Sequence, residues 1–333
     1  MYSLLDPAIL FFIFGVVAAS LKSNLEIPPA ISRFLSLYLL MALGLKGGFA
    51  LSKSSFTQEV AASLGVAIAL AIVIPLIGYF ILKRVLPHFD AAAVSATYGS
   101  VSAVTFVTAV QYLDNHEISY GGYMAAAMAL MESPAIILAV LLANNLRHQS
   151  SESSLHTQNI STDQTKLTEP ISFRKILHES FTDGAQLLLL GSMLIGLITG
   201  DAGKIAMQPF SGDLFKGMLA FFLLDMGLMT ARNSHQLKGM PVSLIAYAVF
   251  APIIHACIAL ISALIIDASA GDAALLMVLA ASASYIAVPA VLRTAIPEAR
   301  PSLYFGMSLG ITFPLNLLIG IPAYTYVAQY VVQ

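Results

Sequence analysis

Long apolar runs, separated by short clusters of charged and turn residues, make up most of this 333-residue chain. Runs of about 20 apolar residues match the length of an α-helix that crosses the hydrocarbon core of a bilayer. The pattern predicts an all-α membrane protein with ten transmembrane helices. The ten predicted spans are residues 8–22, 30–51, 57–82, 91–113, 120–146, 178–200, 212–231, 240–267, 272–296 and 301–330.

Composition supports the same class of protein. Hydrophobic residues make up 58% of the chain and charged residues only 10%, far below the roughly 25% charged residues of soluble domains. The lipid bilayer is therefore the expected surrounding, and a soluble enzyme is excluded. The net charge of -2 provides no basic surface for a nucleic acid, so no nucleic-acid partner is predicted. The single cysteine, Cys257, lies in an apolar run and is expected to pack rather than to react.

A polar stretch divides the chain into two similar halves. Residues 147–175 are too hydrophilic to span a membrane and too poor in apolar residues to form a core. They are predicted to form a flexible cytoplasmic linker between a first five-helix repeat, residues 1–146, and a second repeat, residues 176–333.

Three pairs of segments match between the halves at offsets of 180 to 185 residues. They are LLMALGL (39–45) with FLLDMGL (222–228), ATYGSVSAVT (96–105) with ASASYIAVPA (281–290), and Pro134 with Pro314. Because each repeat holds five spans, the second copy must enter the membrane upside down. The prediction is a five-plus-five inverted repeat, an architecture typical of transporters.

Charge predicts the orientation. With the N-terminus outside, the inner segments hold twelve lysines and arginines and the outer segments four, as the positive-inside rule requires. The inner set is Lys22, Arg33, Lys83, Arg84, Arg147, Lys166, Arg174, Lys175, Arg232, Lys238, Arg293 and Arg300, and the outer set is Lys46, Lys53, Lys204 and Lys216. Both termini are therefore expected outside, with the linker in the cytoplasm.

The fourth and ninth spans are poor uninterrupted helices. Gly99 lies among hydroxyl residues in the fourth, and Pro289 follows Ser282 and Ser284 in the ninth. Serine caps helices and proline favours their first turn, so both spans are predicted to break and to cross, with new half-helices beginning near Val104 and Pro289. Their N-terminal N–H groups would attract an anion. The alternative is a pair of continuous helices kinked by hydroxyl groups that bond to preceding carbonyls.

No lysine or arginine is predicted at mid-span, which favours a small monovalent anion over a phosphate or a large dicarboxylate. A cation bound beside the anion would neutralise the site, and hydroxyl oxygens at a helix break suit sodium. The candidate ligands are Ser102, Thr105, Ser282 and Ser284.

Four other polar residues lie within predicted spans. Glu132 precedes Pro134, and because an intramembrane carboxylate is costly it is a candidate for binding sodium or a proton, or else a protonated structural residue. Asp225 carries the same two alternatives. His255 is expected to pack between helices. Asn316 either supplies an oxygen ligand or bonds to a neighbouring helix.

Motifs of zinc hydrolases, serine hydrolases and phosphate-binding loops were not found in the sequence. The protein is therefore not predicted to be an enzyme, and it is expected to need no cofactor besides sodium as a coupling ion.

The segments around the two predicted breaks resemble the SbtA-type sodium-dependent bicarbonate transporters, and the likeness covers nearly the whole chain. The residues that carry it are YGSVSAVTF (98–106), Ile118-Ser119-Tyr120, MESPA (131–135), the run 282–293 with Ile296-Pro297, and Pro301-Ser302-x-Tyr304. The resemblance implies a ten-helix inverted repeat, a homotrimer, bicarbonate between the two broken helices with sodium beside it, and inhibition by a cytoplasmic PII-like protein.

The resemblance also implies which residues bind. By this resemblance, the family's first anion-binding run corresponds to Gly99, Ser102, Ala103 and Thr105. The second run corresponds to Ser282, Ser284 and Ala287. Ser100 and Tyr285 lie within these runs and join the predicted substrate site. The predicted sodium site comprises Ser102, Thr105, Glu132, Ser282, Ser284 and Asn316.

One departure from the family pattern affects the residues that could bind sodium. Where members of the family read Ser-Ser-Ser-Asp-Ile-Ser-Gly-Pro-Pro, this chain has Tyr285 in place of the aspartate and Ala287 in place of a serine. Either Glu132 and backbone oxygens hold the ion, or the coupling differs. The linker also differs from the family pattern, which bears on the PII-like partner.

The leading hypothesis is a sodium-coupled bicarbonate symporter of the inner (plasma) membrane that works by alternating access. The alternatives are a cation-coupled transporter of another small carboxylate, a sodium/proton exchanger, and a membrane protein that transports nothing.

Overall fold

A computed structural model of the protein describes residues 6–53, 57–155, 184–237 and 239–332. Within these ranges the chain forms helices and connecting turns, without any strand. The helices are α1 (Pro7–Ser20), α2 (Pro29–Leu51), α3 (Gln58–Leu82), α4 (His88–Gly99), α5 (Ala103–Asn115), α6 (Met124–Leu155), α7 (Gly184–Met207), α8 (Phe215–Arg232), α9 (Val242–Ile265), α10 (Ala270–Ala281), α11 (Ala287–Ala295) and α12 (Pro301–Val331).

Seven helical segments of this described part are long and apolar enough to cross a membrane. They are Pro29–Leu51, Gln58–Leu82, His88–Asn115, Met124–Arg147, Gly184–Leu237, Val242–Ile265 and Pro301–Val331, and Pro7–Ser20 and Ala270–Ala281 are shorter apolar helices. The all-α membrane class is thus confirmed. Every predicted span overlaps one or two of the helices, whereas ten crossings and the inverted repeat stay predictions.

The segment Gly184–Leu237 holds two predicted spans, residues 178–200 and 212–231. A kink at Gly200, whose φ of 53° favours glycine, and a π-helical turn at Gln208–Asp213 separate α7 from α8. Residues 178–183 lie outside the described part.

One bundle comprises α1, α2, α7 and α8. The helix α1 packs along α8, and α2 packs along α7. Glycines allow the close approach: a Cβ atom at Gly48 would collide with the Met193 carbonyl oxygen, and one at Gly227 would collide with that of Phe12. Small residues at such crossings let helix backbones meet, which drives helix association in lipid.

The other bundle comprises α3 to α6 and α9 to α12. In it α3 packs on α4, and α4 on α6, while α9 packs on α10, and α10 on α12. The second set repeats the first in the same chain order. The two bundles meet where α2 contacts α5 and α6 and where α6 contacts α7.

The predicted linker does not begin where α6 ends. The helix continues to Leu155, so residues 147–155 extend it, and residues 156–175 lie outside the described part. At this end Arg147 binds Glu298, with 2.7 Å between Nη2 and Oε2. The Arg147 guanidinium lowers the pKa of the Glu298 carboxyl and joins α6 to the turn after α11.

Candidate functional site

Both predicted helix breaks are present. The helix α4 ends at Gly99 and α5 begins at Ala103, while α10 ends at Ala281 and α11 begins at Ala287. The new half-helices start one residue before Val104 and two before Pro289. The alternative of continuous kinked helices is therefore wrong.

The two breaks contact each other through hydrogen bonds. The Ser102 N–H donates to Ser282 Oγ at 3.0 Å, and the Ser284 N–H donates to the Thr97 carbonyl at 2.8 Å. All three serines are buried. The extended segments therefore cross and satisfy part of one another's backbone, which a membrane interior requires.

In each second half-helix, a serine that was predicted to be a ligand accepts a hydrogen bond from a backbone N–H of the first turn. Ser102 Oγ accepts from the Thr105 N–H at 3.2 Å, and Ser284 Oγ accepts from the Val288 N–H at 3.2 Å. Among the described residues, the N–H groups of Ala103, Val104 and Ala287 have no hydrogen-bond acceptor. Such N–H groups carry the positive end of the helix dipole.

These N–H groups border a cavity of about 220 Å³ between the two bundles. Its lining residues are Ser36, Leu40, Val101, Ser102, Ala103, Val104, Met128, Glu132, Ile136, Ala185, Gln186, Leu189, Ser284, Tyr285, Ile286, Ala287, Ala290 and Val291. The structure thus brings six predicted site residues into one cavity: Ser102, Ala103, Glu132, Ser284, Tyr285 and Ala287.

Glu132 is linked to the opposite bundle. Its Oε2 accepts from Gln186 Nε2 at 2.9 Å, and Gln186 is buried on α7. Sequence reasoning missed Gln186, although an amide in the apolar run of the sixth span was a usable signal. The carboxylate of α6 is therefore held at the boundary between the bundles.

Three other predicted site residues stabilise the crossing without lining the cavity. A Cβ atom at Gly99 would lie 2.5 Å from the ring of Pro75, so the α3–α4 contact requires glycine. The Ser100 hydroxyl donates to the Glu132 carbonyl at 3.3 Å, and Thr105 Oγ1 donates to Ser102 Oγ at 2.9 Å. These three residues do not line the cavity.

Asn316 also lies outside the cavity lining. Its Nδ2 donates to the Ala281 carbonyl at 2.7 Å, and its Oδ1 accepts from Tyr324 at 3.3 Å. It therefore satisfies the carboxyl end of α10, as the helix-bonding alternative anticipated. Ser282, whose hydroxyl donates to the Leu279 carbonyl at 2.8 Å, likewise supports the crossing.

Tyr285 occupies the position of the family aspartate. Its hydroxyl lies 3.7 Å from Met226 Sδ on α8, and its ring packs edge-on against Phe313 with centroids 5.1 Å apart. Nearby on α8, Asp225 accepts a hydrogen bond from Ser32. Tyr285 therefore contacts the opposite bundle through Met226, while its aromatic contact with Phe313 lies within its own bundle.

His255 is buried on α9, which packs on α10. Its Nδ1 has no hydrogen-bond partner among the described residues. The expectation that it packs between helices agrees with this position.

Two buried aspartates that sequence reasoning missed anchor the first half-helices. Asp90 at the start of α4 accepts from the Arg300 N–H at 2.8 Å and from Arg300 Nε at 2.9 Å. Asp272 at the start of α10 accepts from the Gly121 N–H at 2.7 Å and the Tyr123 hydroxyl at 2.8 Å. Each joins a broken helix to the segment preceding the last helix of the other half, and their matching positions were the available signal.

Two more cavities lie along the bundle boundary. A cavity of about 320 Å³ is lined by Leu43, Phe106 and Met124, which lie on the same helices as Leu40, Val104 and Met128 of the central cavity. A third, of about 900 Å³, is reached past Lys46 and Asp114, which line both. Successive turns of α2 and α5 therefore border all three.

Comparison with known proteins agrees with this geometry. A search of curated proteins found no match. A family model described as the Na⁺-dependent bicarbonate transporter superfamily matches residues 7–329, nearly the whole chain, which confirms the resemblance and indicates a multi-pass membrane transporter rather than an enzyme. The chain belongs to the Na⁺-dependent bicarbonate transporter superfamily.

Proposed function

We propose that this protein is a sodium-coupled symporter that carries bicarbonate by alternating access. The observation that carries the proposal is the cavity at the crossing of the two broken helices, where helix N-termini, buried hydroxyls and a carboxylate lie together between two bundles.

The anion is proposed to bind at the N-termini of α5 and α11. The N–H groups of Ala103, Val104 and Ala287 are suited to receive its oxygens. Among the described residues no lysine or arginine lines this cavity, so helix dipoles would supply the positive potential. That arrangement suits a small monovalent anion such as bicarbonate.

Sodium is proposed to bind beside the anion, with Ser102 and Ser284 as hydroxyl ligands and Glu132 as the carboxylate. Thr105 Oγ1, which lies 2.9 Å from Ser102 Oγ, is proposed as an additional oxygen ligand. Ser282 and Asn316 act by fixing the crossing. A sodium ion here would compensate one of the two negative charges that bicarbonate and the Glu132 carboxylate bring together, so sodium and bicarbonate would each favour the binding of the other.

Transport is proposed to occur by movement of one bundle against the other within a ten-helix, five-plus-five inverted repeat. The proposed repeat is supported by the packing of α9, α10 and α12, whose order of contacts is the same as that of α3, α4 and α6. Glu132 and Gln186, on opposite bundles, would separate or re-pair as the cavity changes its exposure.

The protein is proposed to lie in the inner (plasma) membrane with both termini outside. A homotrimer and a PII-like cytoplasmic regulator stay predictions from the family resemblance.

Uptake of labelled bicarbonate into proteoliposomes tests the proposal. An inward sodium gradient is expected to drive accumulation, and replacement of sodium by potassium is expected to abolish it. Uptake indifferent to sodium would reject coupling. Sodium-driven uptake of acetate in preference to bicarbonate would indicate the small-carboxylate alternative, and sodium-driven proton movement without bicarbonate would indicate an exchanger.

A further inference from the structure

Four lysines from distant parts of the chain line the third cavity of the bundle boundary. They are Lys46 and Lys53 on and after α2, Lys204 on α7, and Lys216 on α8. We name this space of about 900 Å³ the lysine vestibule. All four lysines of the predicted outer segments line this one space, so the positively charged side chains of the predicted outer side lie together.

Acidic groups offset only part of this charge. Lys46 Nζ lies 3.2 Å from Asp114, and Lys53 Nζ lies 2.7 Å from Asp201, while Lys216 Nζ donates to the neutral amide of Asn115 at 2.9 Å. The only acidic residues on the described wall are Asp114 and Asp213. With Asp201 included, three carboxylates offset the four lysines and one positive charge remains in excess. A concave surface with an excess of one sign raises the local concentration of oppositely charged ions.

The vestibule lies on the same bundle boundary as the central cavity. It shares Lys46, Ala50, Asp114 and Tyr120 with the cavity of about 320 Å³, which Phe106 and Met124 also line. Among the described residues, the lining of the central cavity contains no lysine or arginine. One set of residues would thus attract the anion from a distance, and a different set would bind it at the helix N-termini.

We propose that the lysine vestibule is an anion-collecting site that concentrates small inorganic anions at the outer entrance of the route. Its role in uptake rests on the proposed function, whereas its attraction for anions does not. Lys53 and Lys204 are the residues to change, because Lys46 and Lys216 also hold the bundles together through Asp114 and Asn115.

Thiol labelling tests the attraction without any transport. In a Cys257→Ala background, a reporter Gln208→Cys on the vestibule wall is treated with methanethiosulfonate reagents, one bearing a sulfonate and one a trimethylammonium group. The ratio of anionic to cationic labelling rates is expected to fall about fourfold or more when Lys53→Gln and Lys204→Gln are added at low ionic strength, with less change at high salt.

A second reporter is the matched control. Tyr330→Cys lies at an exposed position of α12 that does not line the vestibule, and its labelling ratio should not change with the double substitution. An unchanged ratio at Gln208→Cys, or an equal change at both reporters, would overturn the proposal.

Bicarbonate uptake gives the functional result. The Lys53→Gln/Lys204→Gln protein is expected to show an apparent KM for bicarbonate raised roughly two- to fourfold at low ionic strength, with kcat unchanged. Lys83→Gln/Arg84→Gln, at the opposite end of α3, should have no such effect. Labelling that responds as expected while bicarbonate is not transported would reject the proposed function and leave the anion-collecting site standing; transport with an unchanged KM would reject its role in uptake.

Discussion

At the scale of single residues, Ser102 combines the largest number of roles. Its N–H donates to Ser282 across the break, its hydroxyl caps α5, and the same hydroxyl accepts from Thr105 Oγ1. It also lines the central cavity. Structural support and the proposed ion binding would therefore depend on one oxygen atom.

Replacement of that oxygen is expected to damage transport more than folding. Ser102→Ala removes a helix cap, which costs about 1 kcal/mol, and a proposed sodium ligand. We expect the apparent KM for sodium in bicarbonate uptake to rise roughly tenfold, because a lost interaction of about 1.4 kcal/mol weakens binding tenfold.

Ser95→Ala is the matched control for this change. Ser95 is also buried, and its hydroxyl donates to the Ala92 carbonyl within α4. The apparent KM for sodium in bicarbonate uptake by the Ser95→Ala protein should match that of the unaltered protein. Equal effects of the two substitutions would contradict a specific role for Ser102.

At the scale of elements, a half-helix needs an anchor because it lacks a full span of its own. Asp272 provides one for α10 by accepting hydrogen bonds from the Gly121 N–H, the Tyr123 hydroxyl and the Ser269 hydroxyl. Asp90 provides one for α4 through Arg300. The positions of the two breaks thus depend on carboxylates at the far ends of the same half-helices.

Asp272→Asn is expected to destabilise the protein. An amide has one oxygen and would direct its NH₂ group at a former donor, and a buried donor left unsatisfied costs about 1–3 kcal/mol. The detergent-solubilised variant should melt at a clearly lower temperature. Asp213→Asn, at an exposed residue that accepts from Gln208, serves as the control, and equal melting temperatures for the two variants would contradict the anchoring role.

At the scale of the whole molecule, the bundles are joined by polar contacts beside the lysine vestibule. The Lys46–Asp114 ion pair connects α2 to α5, Lys216 on α8 binds Asn115, and Asn115 Nδ2 donates to Asp6 at 2.9 Å. The proposed alternating access would require these contacts to open.

A cross-link at this place should arrest transport. In a Cys257→Ala background, Lys46→Cys combined with Asp114→Cys is expected to be bridged by mercuric ion, and sodium-driven uptake should stop until dithiothreitol removes the metal. The two single-cysteine variants, treated alike, are the controls. Full uptake by the bridged protein would contradict relative movement of the bundles at this boundary.

Much of the central site could be predicted because its signals are local. Glycine, proline and serine inside an apolar run indicate a helix break wherever they occur, and both breaks were located to within two residues. Which hydroxyl groups face the cavity depends on contacts between distant segments, so neighbouring residues in the sequence do not predict it. Thr105, Ser282 and Asn316 were grouped with Ser102 and Ser284, yet their side chains bond within the crossing.

The sequence by itself determined the membrane class and the two interrupted helices, because hydropathy and backbone preference act on neighbouring residues. Only the tertiary structure decided that Glu132 meets Gln186, that Asp90 and Asp272 anchor the half-helices, and that four distant lysines border one cavity. The reason is that these contacts depend on how helices rotate and pack against one another, which hydrophobic periodicity does not specify when helices are apolar on every side.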